Sequence, residues 1–321
     1  MNSSESIMEQ PVALRRPAAR TFFRSRRRYR QGVLVPYLYL LPALLTVGIW
    51  VYKPLIQLFG LSFFQWNLLP TSPKVPVGLG NYRQLLSLPE FGAAIRNTVL
   101  YIVGILPMSI LIPVIIALQT NRLSEKIRKA YRAVIFLPFI MAPVVITVLW
   151  RWLLNPYGGF VNDFILEPLL HHPVSFFGES CALYTIIFIT GWSIVGFSTL
   201  IFSSAIVGID RSYLESATLE GATYGQMSRR IILPLLSPQI LLMTMLTVLL
   251  ASQWTFVHVN VITQYSSYMH VTNIYHLLYI YGFRSFNIGW SSAAAVLMFI
   301  VFGLIAVFFL RLTEKYSFYD N

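Results

Sequence analysis

The sequence predicts an all-α integral membrane protein with six transmembrane helices. Three observations predict it. Of the 321 residues, 56% are hydrophobic and 11% charged, and the mean hydropathy is +0.64; soluble domains carry about 25% charged residues. Six apolar stretches each approach the roughly 20 residues that a bilayer asks of a helix. Eighteen of the 24 lysines and arginines fall in four segments: the N-terminal tail, residues 121–132, residues 210–234 and the C-terminal tail. That bias puts all four segments on the cytoplasmic side, and an even span count puts both termini there.

Residues 1–32 are a polar tail with eight arginines between Arg15 and Arg30. A nucleic-acid arm is the sharper interpretation. A cytoplasmic tail that pins the first span is the plainer one, and the charge distribution along the whole chain favours it, so no nucleic-acid partner is expected. The apolar run that follows is too long for a signal peptide and lacks a small-residue cleavage site.

Span one is expected over 33–52, kinked at Pro36 and Pro42, with Lys53 and Trp66 as interface anchors. Residues 60–95 read as a polar outer segment in which Phe63, Phe64 and Trp66 lie on the membrane surface. Span two is expected over 98–118 with Pro107 and Pro113, then the basic connector Asn121–Arg132. Span three covers 133–149 with Pro138 and Pro143, and ends at Trp150-Arg151-Trp152. An outer loop, 153–180, turns at Tyr157-Gly158-Gly159. Span four covers 181–207 and span five 235–257. An outer segment with His258, His270 and His276 leads to span six over 290–310. The chain therefore divides into a tail (1–32), a six-span domain (33–310) and a C-terminal tail (311–321).

The longest polar interruption of the C-terminal half runs from Glu215 to Pro234. Asp210-Arg211-Ser212 offers N-cap oxygens, and Glu215 stands three residues after Ser212, as in a capping box. A short helix then reaches about Glu220. Gly221 suits a C-cap or sharp turn. A second short helix ends near Arg229 and Arg230, where the helix dipole favours cations. The pattern is helix, turn, helix between two spans.

Glu215, Ala217, Glu220-Gly221-Ala222 and Ile231-x-Leu233-Pro234 resemble, in spacing and position, the EAA loop of bacterial ABC importer permeases. In that family the loop docks the cytoplasmic ATPase. Ser216 replaces the usual Ala, and Ser228 stands where the family usually has Phe, which removes a hydrophobic contact. Gly78-Leu-Gly-Asn81-Tyr82, followed by Asn97-Thr98, resembles the outer segment of the sugar-type members, as does Tyr39–Trp66 with its Leu41-Pro42 and Lys53-Pro54. The resemblance spans roughly 35–315. It implies a type I ABC importer permease fold, alternating access, and residence in the bacterial inner membrane. It also implies partner ATPase subunits, a second permease and an extracytoplasmic solute-binding protein. Coupling to the ATPase would fall to Glu215, Ala217, Glu220, Gly221, Ala222, Arg229, Arg230, Ile231, Leu233 and Pro234.

No enzyme signature is present. A Gly-x-x-x-x-Gly-Lys-Ser/Thr phosphate loop is absent, so ATP and magnesium belong on the partner ATPase and no cofactor is expected in this chain. Single Cys181 excludes a cysteine metal site, and His171-His172 reads as a solvated pair.

The expected spans hold no Asp, Glu, Lys or Arg at mid-depth. Such residues cost roughly 3 kcal/mol each there and usually mark proton or ion relays. A neutral polyol fits better, bound by hydroxyl and amide groups beside aromatic faces. Aligned on the EAA loop, the resemblance puts Thr190, Ser193, Phe197, Thr247, Ala251 and Trp254 on the translocation path, and Gln253 joins Trp254 by its chemistry. Packing of small residues between helices accounts for Ser and Thr equally well. A sugar is the expected solute. The rivals are a type I importer for another solute, such as glycerol phosphate or a polyamine, and a secondary carrier without an ATPase.

Overall fold

The computed structural model describes residues 34–263 and 269–316. The arginine-rich tail, the 264–268 segment and the last five residues lie outside them. The chain divides into two units, 1–53 and 54–321. In the first, α1 (Leu34–Val47) carries Pro42 internally and passes into a π-helical turn over Gly48–Tyr52. Exposed Leu40, Leu44, Leu45 and Trp50 suit a lipid-facing helix, and Tyr37–Leu61 is long and apolar enough to cross a membrane.

After α2 (Lys53–Leu61) the chain enters the region expected to be a polar surface segment. It is instead folded. β1 (Phe64–Gln65) pairs antiparallel with β2 (Val75–Pro76), and α3 (Gly80–Ser87) follows. Buried Asn81 donates through Nδ2 to the carbonyls of Ser62 and Phe64 at 2.8 and 3.0 Å, and Tyr82 Oη donates to Ser62 Oγ at 2.8 Å. The Gly78–Tyr82 stretch thus fastens the hairpin.

α4 (Pro89–Leu106) begins well before the expected start of span two. Pro107 opens a π-helical turn to Leu111, and α5 (Ile112–Asn121) completes a 33-residue helix. A proline inside a helix lacks the donor its i−4 carbonyl needs, and the wider turn absorbs the misfit.

Span three differs most from expectation. α6 (Glu125–Ile140) and α7 (Pro143–Leu153) meet at 94°. Pro138 leaves α6 intact. Pro143 forces the break, because a residue before proline is pushed out of the helical region; Ala142 has ψ 131° and Met141 ψ 142°. A π-helical turn over Asn162–Leu166 then runs into α8 (Glu167–Leu170), and buried Asn162 holds this loop to Leu154, Asn155 and Val174 through its side chain.

α9 (Ala182–Val207) is apolar on all sides, and more than half of it is buried. It is the interior helix that such a pattern predicts, packed against α4, α5, α6 and α13. Gly196 makes the closest approach: a Cβ there would meet the Ile135 carbonyl and lie 2.7 Å from Phe136 Cα. Next come α10 (Arg211–Leu219), α11 (Tyr224–Met227), a π-helical turn over Ser228–Ile232 and α12 (Leu233–Leu235). α13 (Ser237–Ile262) follows, then α14 (Ile274–Tyr279) and α15 (Ile288–Tyr316). α13 continues past the expected end of span five, so His258 belongs to the helix and not to an outer segment. His276 is likewise buried, in α14. Among the described residues five helices can cross a membrane by length and apolarity, or six with the bent pair as one.

Candidate functional site

Two places carry the chemistry. The first is the α10–α12 loop. Its N-cap is Asp210, whose Oδ1 accepts from the Ser212 backbone N–H at 2.9 Å. Ser212 is therefore inside the helix, and the capping box expected with Glu215 does not form. The box forms one helix later, where Thr223 and Gln226 cap each other's backbone.

α10 ends as the glycine requires. Gly221 has φ +77°, a region that costs an L side chain roughly 1–2 kcal/mol. Ala222 N–H donates to the Ala217 carbonyl at 2.9 Å and Gly221 N–H to Thr218 at 3.0 Å. These two bonds are a Schellman ending, with Ala217 and Ala222 at its apolar contact positions. The Ala-x-x-x-Gly-Ala spacing is thus the geometry of one helix terminus.

Glu215, Glu220, Arg229 and Arg230 are exposed, Ala217 is buried, and Ala222, Ile231, Leu233 and Pro234 are half-buried. Ser228, Ile232 and Leu236 form a buried i, i+4 stripe. Ile232 and Leu236 enter an apolar cluster with Val114 and Ala117 of α5 and Phe202 and Ile206 of α9. Ser228 therefore faces its own chain, and its Oγ has no partner. Tyr224 adds a polar tie: its Oη donates to the Leu118 carbonyl at 2.6 Å while the Arg122 guanidinium sits 4.7 Å over its ring. An open cleft of about 640 Å3 lies beside the loop, between Glu215, Thr218 and Leu219 on α10 and Tyr224 and Met227 on α11.

The second place is a cavity of about 350 Å3 under the bend between α6 and α7, where α9 and α13 meet it. Thr190, Ser193, Gln253 and Trp254 all line it. Phe197 stands beside it, stacked on lining residue Phe139 at 4.8 Å between ring centres. Thr247 and Ala251 lie elsewhere. Thr247 is fully buried, with its Oγ1 2.8 Å from the Met243 carbonyl and 2.9 Å from Ser109 Oγ, while Ala251 packs in the core with Tyr101 and Ile105. The lining described carries no Asp, Glu, Lys or Arg.

The loop and the spans around it match the family model of binding-protein-dependent transport system inner membrane components over residues 84–316. The chain belongs to that family. The permease is 30% identical to a probable ABC transporter permease of Pyrococcus horikoshii, over 65% of this chain and 72% of that protein. It is 26% identical to the sn-glycerol-3-phosphate transport system permease protein UgpA of Pectobacterium atrosepticum, over 88% of this chain and 94% of that one. Among solved structures it is similar to a bacterial ABC transporter involved in import of the acidic polysaccharide alginate. That match has a TM-score of 0.78 and 25% identity, and covers 88% of this chain and 95% of the other. The permease is thus an all-helical, multi-pass inner-membrane subunit of an ABC importer, distinct from the ATPase. It belongs to a system that includes an ATPase and a binding protein.

Several residues that shape these places are not evident from the permease's sequence. Ile232, Leu236 and Tyr224 anchor the loop, and the i, i+4 spacing of 228, 232 and 236 is the signal that could have found the first two. His258 and Thr147 meet at the cavity wall across 111 residues. Asn97 donates to the carbonyls of Met269 and Thr272 at 2.8 and 3.0 Å. Asn97-Thr98 thus gains a physical role as the clamp on the segment before α14.

Proposed function

We propose that the permease imports a carbohydrate. The cavity under the α6–α7 bend carries this reading: hydroxyl, amide and indole groups line it and no charged side chain does. Such a wall offers hydrogen bonds to sugar hydroxyls and an aromatic face for the ring, and nothing to neutralise an ion. The chain is half of the pathway, and a second permease completes it. Its termini lie in the cytoplasm, as the basic residues require.

ATP and magnesium act on the ATPase, which docks on the α10–α12 loop. Glu215 and 90%-exposed Leu219 flank the cleft that receives it. Arg229 and Arg230 meet acidic ATPase or lipid groups. Movement of the loop reaches α5 and α9 through Ile232, Leu236 and Tyr224, and the walls of the cavity move with them.

A second reading is glycerol phosphate import, favoured by the similarity to UgpA. It needs a cation near the solute, supplied by the partner permease.

The test is a pull-down from mild detergent with and without Glu215→Arg, read by mass spectrometry. Wild type should bring down an ATPase and a second permease, and the variant should lose the ATPase. Recovery of the chain alone, unaffected by the substitution, would overturn Glu215 as the docking residue of the ATPase.

A further inference from the structure

His258 faces the cavity from α13, and its ring is held from behind. Nδ1 lies 2.6 Å from Thr147 Oγ1, and the same oxygen lies 2.7 Å from the Pro143 carbonyl. A carbonyl only accepts, so the single hydroxyl proton of Thr147 goes to Pro143. The contact with His258 is then Nδ1–H donating to Thr147. This selects one tautomer of the neutral ring and leaves Nε2 as a bare acceptor. No group among the described residues takes Nε2.

Thr190 lines the same cavity from α9. It is 1% exposed and its Oγ1 has no partner. A buried hydroxyl left unpaired costs free energy, and each such group calls for an explanation. The cavity therefore presents an acceptor at His258, with the side chain of Gln253 on the same wall and an unpaired hydroxyl on the wall residue Thr190.

We propose that His258 is a specificity-determining residue of the transported-solute site. Its Nε2 accepts a hydrogen bond from a solute hydroxyl, and Thr147 is the residue that positions it. A hydroxyl has a proton to give. A phosphate or carboxylate oxygen has none, and its lone pairs oppose that of Nε2. The site thus favours the uncharged, hydroxyl-rich end of a carbohydrate. This rests on the carbohydrate reading above and adds the group that enforces it.

The test has two arms. Uptake into proteoliposomes by the complete importer, with its co-purifying subunits and binding protein, is measured with tritiated glucose, maltose, raffinose and sn-glycerol 3-phosphate. Binding of the transported sugar is then measured on the purified membrane complex without the binding protein, whose own affinity would hide the site. His258→Phe should weaken binding about tenfold, the loss of one good hydrogen bond. His258→Gln, which keeps an acceptor, should stay within about threefold of wild type. Thr147→Val frees the ring without emptying its place and should weaken binding about threefold. If His258→Phe does not assemble, Thr147→Val decides. Sugar binding unchanged in the assembled variants overturns the role of His258 while leaving the carbohydrate reading intact. Uptake of glycerol phosphate and of none of the sugars overturns the carbohydrate reading, and the proposal with it.

Discussion

Tyr224 Oη donates to the Leu118 carbonyl at 2.6 Å, tying the loop between α9 and α13 to the last turn of α5. The carbonyls of a final helical turn have no partner within their own helix, so the phenol satisfies one while fixing the loop. Tyr224→Phe keeps the ring and removes the bond. It should cost about 1 kcal/mol and lower uptake per ATP hydrolysed while the ATPase still binds. Thermal unfolding in detergent and a transport-to-hydrolysis ratio check both parts. An unchanged ratio would remove Tyr224 from the lever.

A Cβ at Gly221 would meet only open space, so the requirement for glycine there is backbone conformation alone. Gly221→Val puts a β-branched residue at φ +77°, where it is a genuine outlier. The cost of roughly 1–2 kcal/mol falls on the Schellman ending and the angle between α10 and α11. Uptake should be lost while membrane insertion, measured by protease accessibility in vesicles, stays normal. Normal uptake would defeat the idea that this turn transmits force.

Asn97 is fully buried and joins α4 to carbonyls 172 and 175 residues away. Tyr101 Oη adds a bond to the Val271 carbonyl at 2.8 Å, and Thr98 Oγ1 accepts from the Ile274 N–H at 3.1 Å. Asn97→Ala strands two carbonyls and should destabilise by about 1–3 kcal/mol. Limited proteolysis should find the segment around Thr272 newly cut. Wild-type resistance there would show that Tyr101 and Thr98 suffice.

Asp210 accepts from the Ser212 backbone N–H, and this bond, with the Ser212 side chain adding to it, holds its carboxyl below the usual range. A lowered folded pKa means that the cap stabilises above the ordinary carboxylate range and is lost as pH falls through the lowered value. Hydrogen exchange of the first turn of α10 should therefore quicken between about pH 5 and pH 3, after correction for intrinsic rates. Asp210→Asn, which caps without titrating, should abolish that change. The same pH response in the Asn variant would place its source elsewhere.

Membrane class, the number of spans and the helix–turn–helix between spans four and five are legible in the sequence because each is a local property. Hydropathy is summed over about 20 neighbouring residues. α10 ends through the Gly221 N–H bonding three positions back and the Ala222 N–H five positions back. Local chemistry also misleads when two caps compete: Ser212 and Asp210 both offer an oxygen, and only the chain's approach to α10 selects Asp210.

What the tertiary structure alone decided is which side of each span faces what. α9 and α13 are apolar nearly all round, so no periodicity separates their faces. Thr190 and Thr247 look equivalent in sequence, yet one is left unpaired in a cavity wall and the other is tied to Met243 and Ser109. His258 and Thr147 meet across 111 residues, and only because Ala142, set before Pro143, turns α7 through 94° toward α13. A hydrogen bond between distant helices depends on how they pack, and packing leaves no mark on either stretch of sequence by itself.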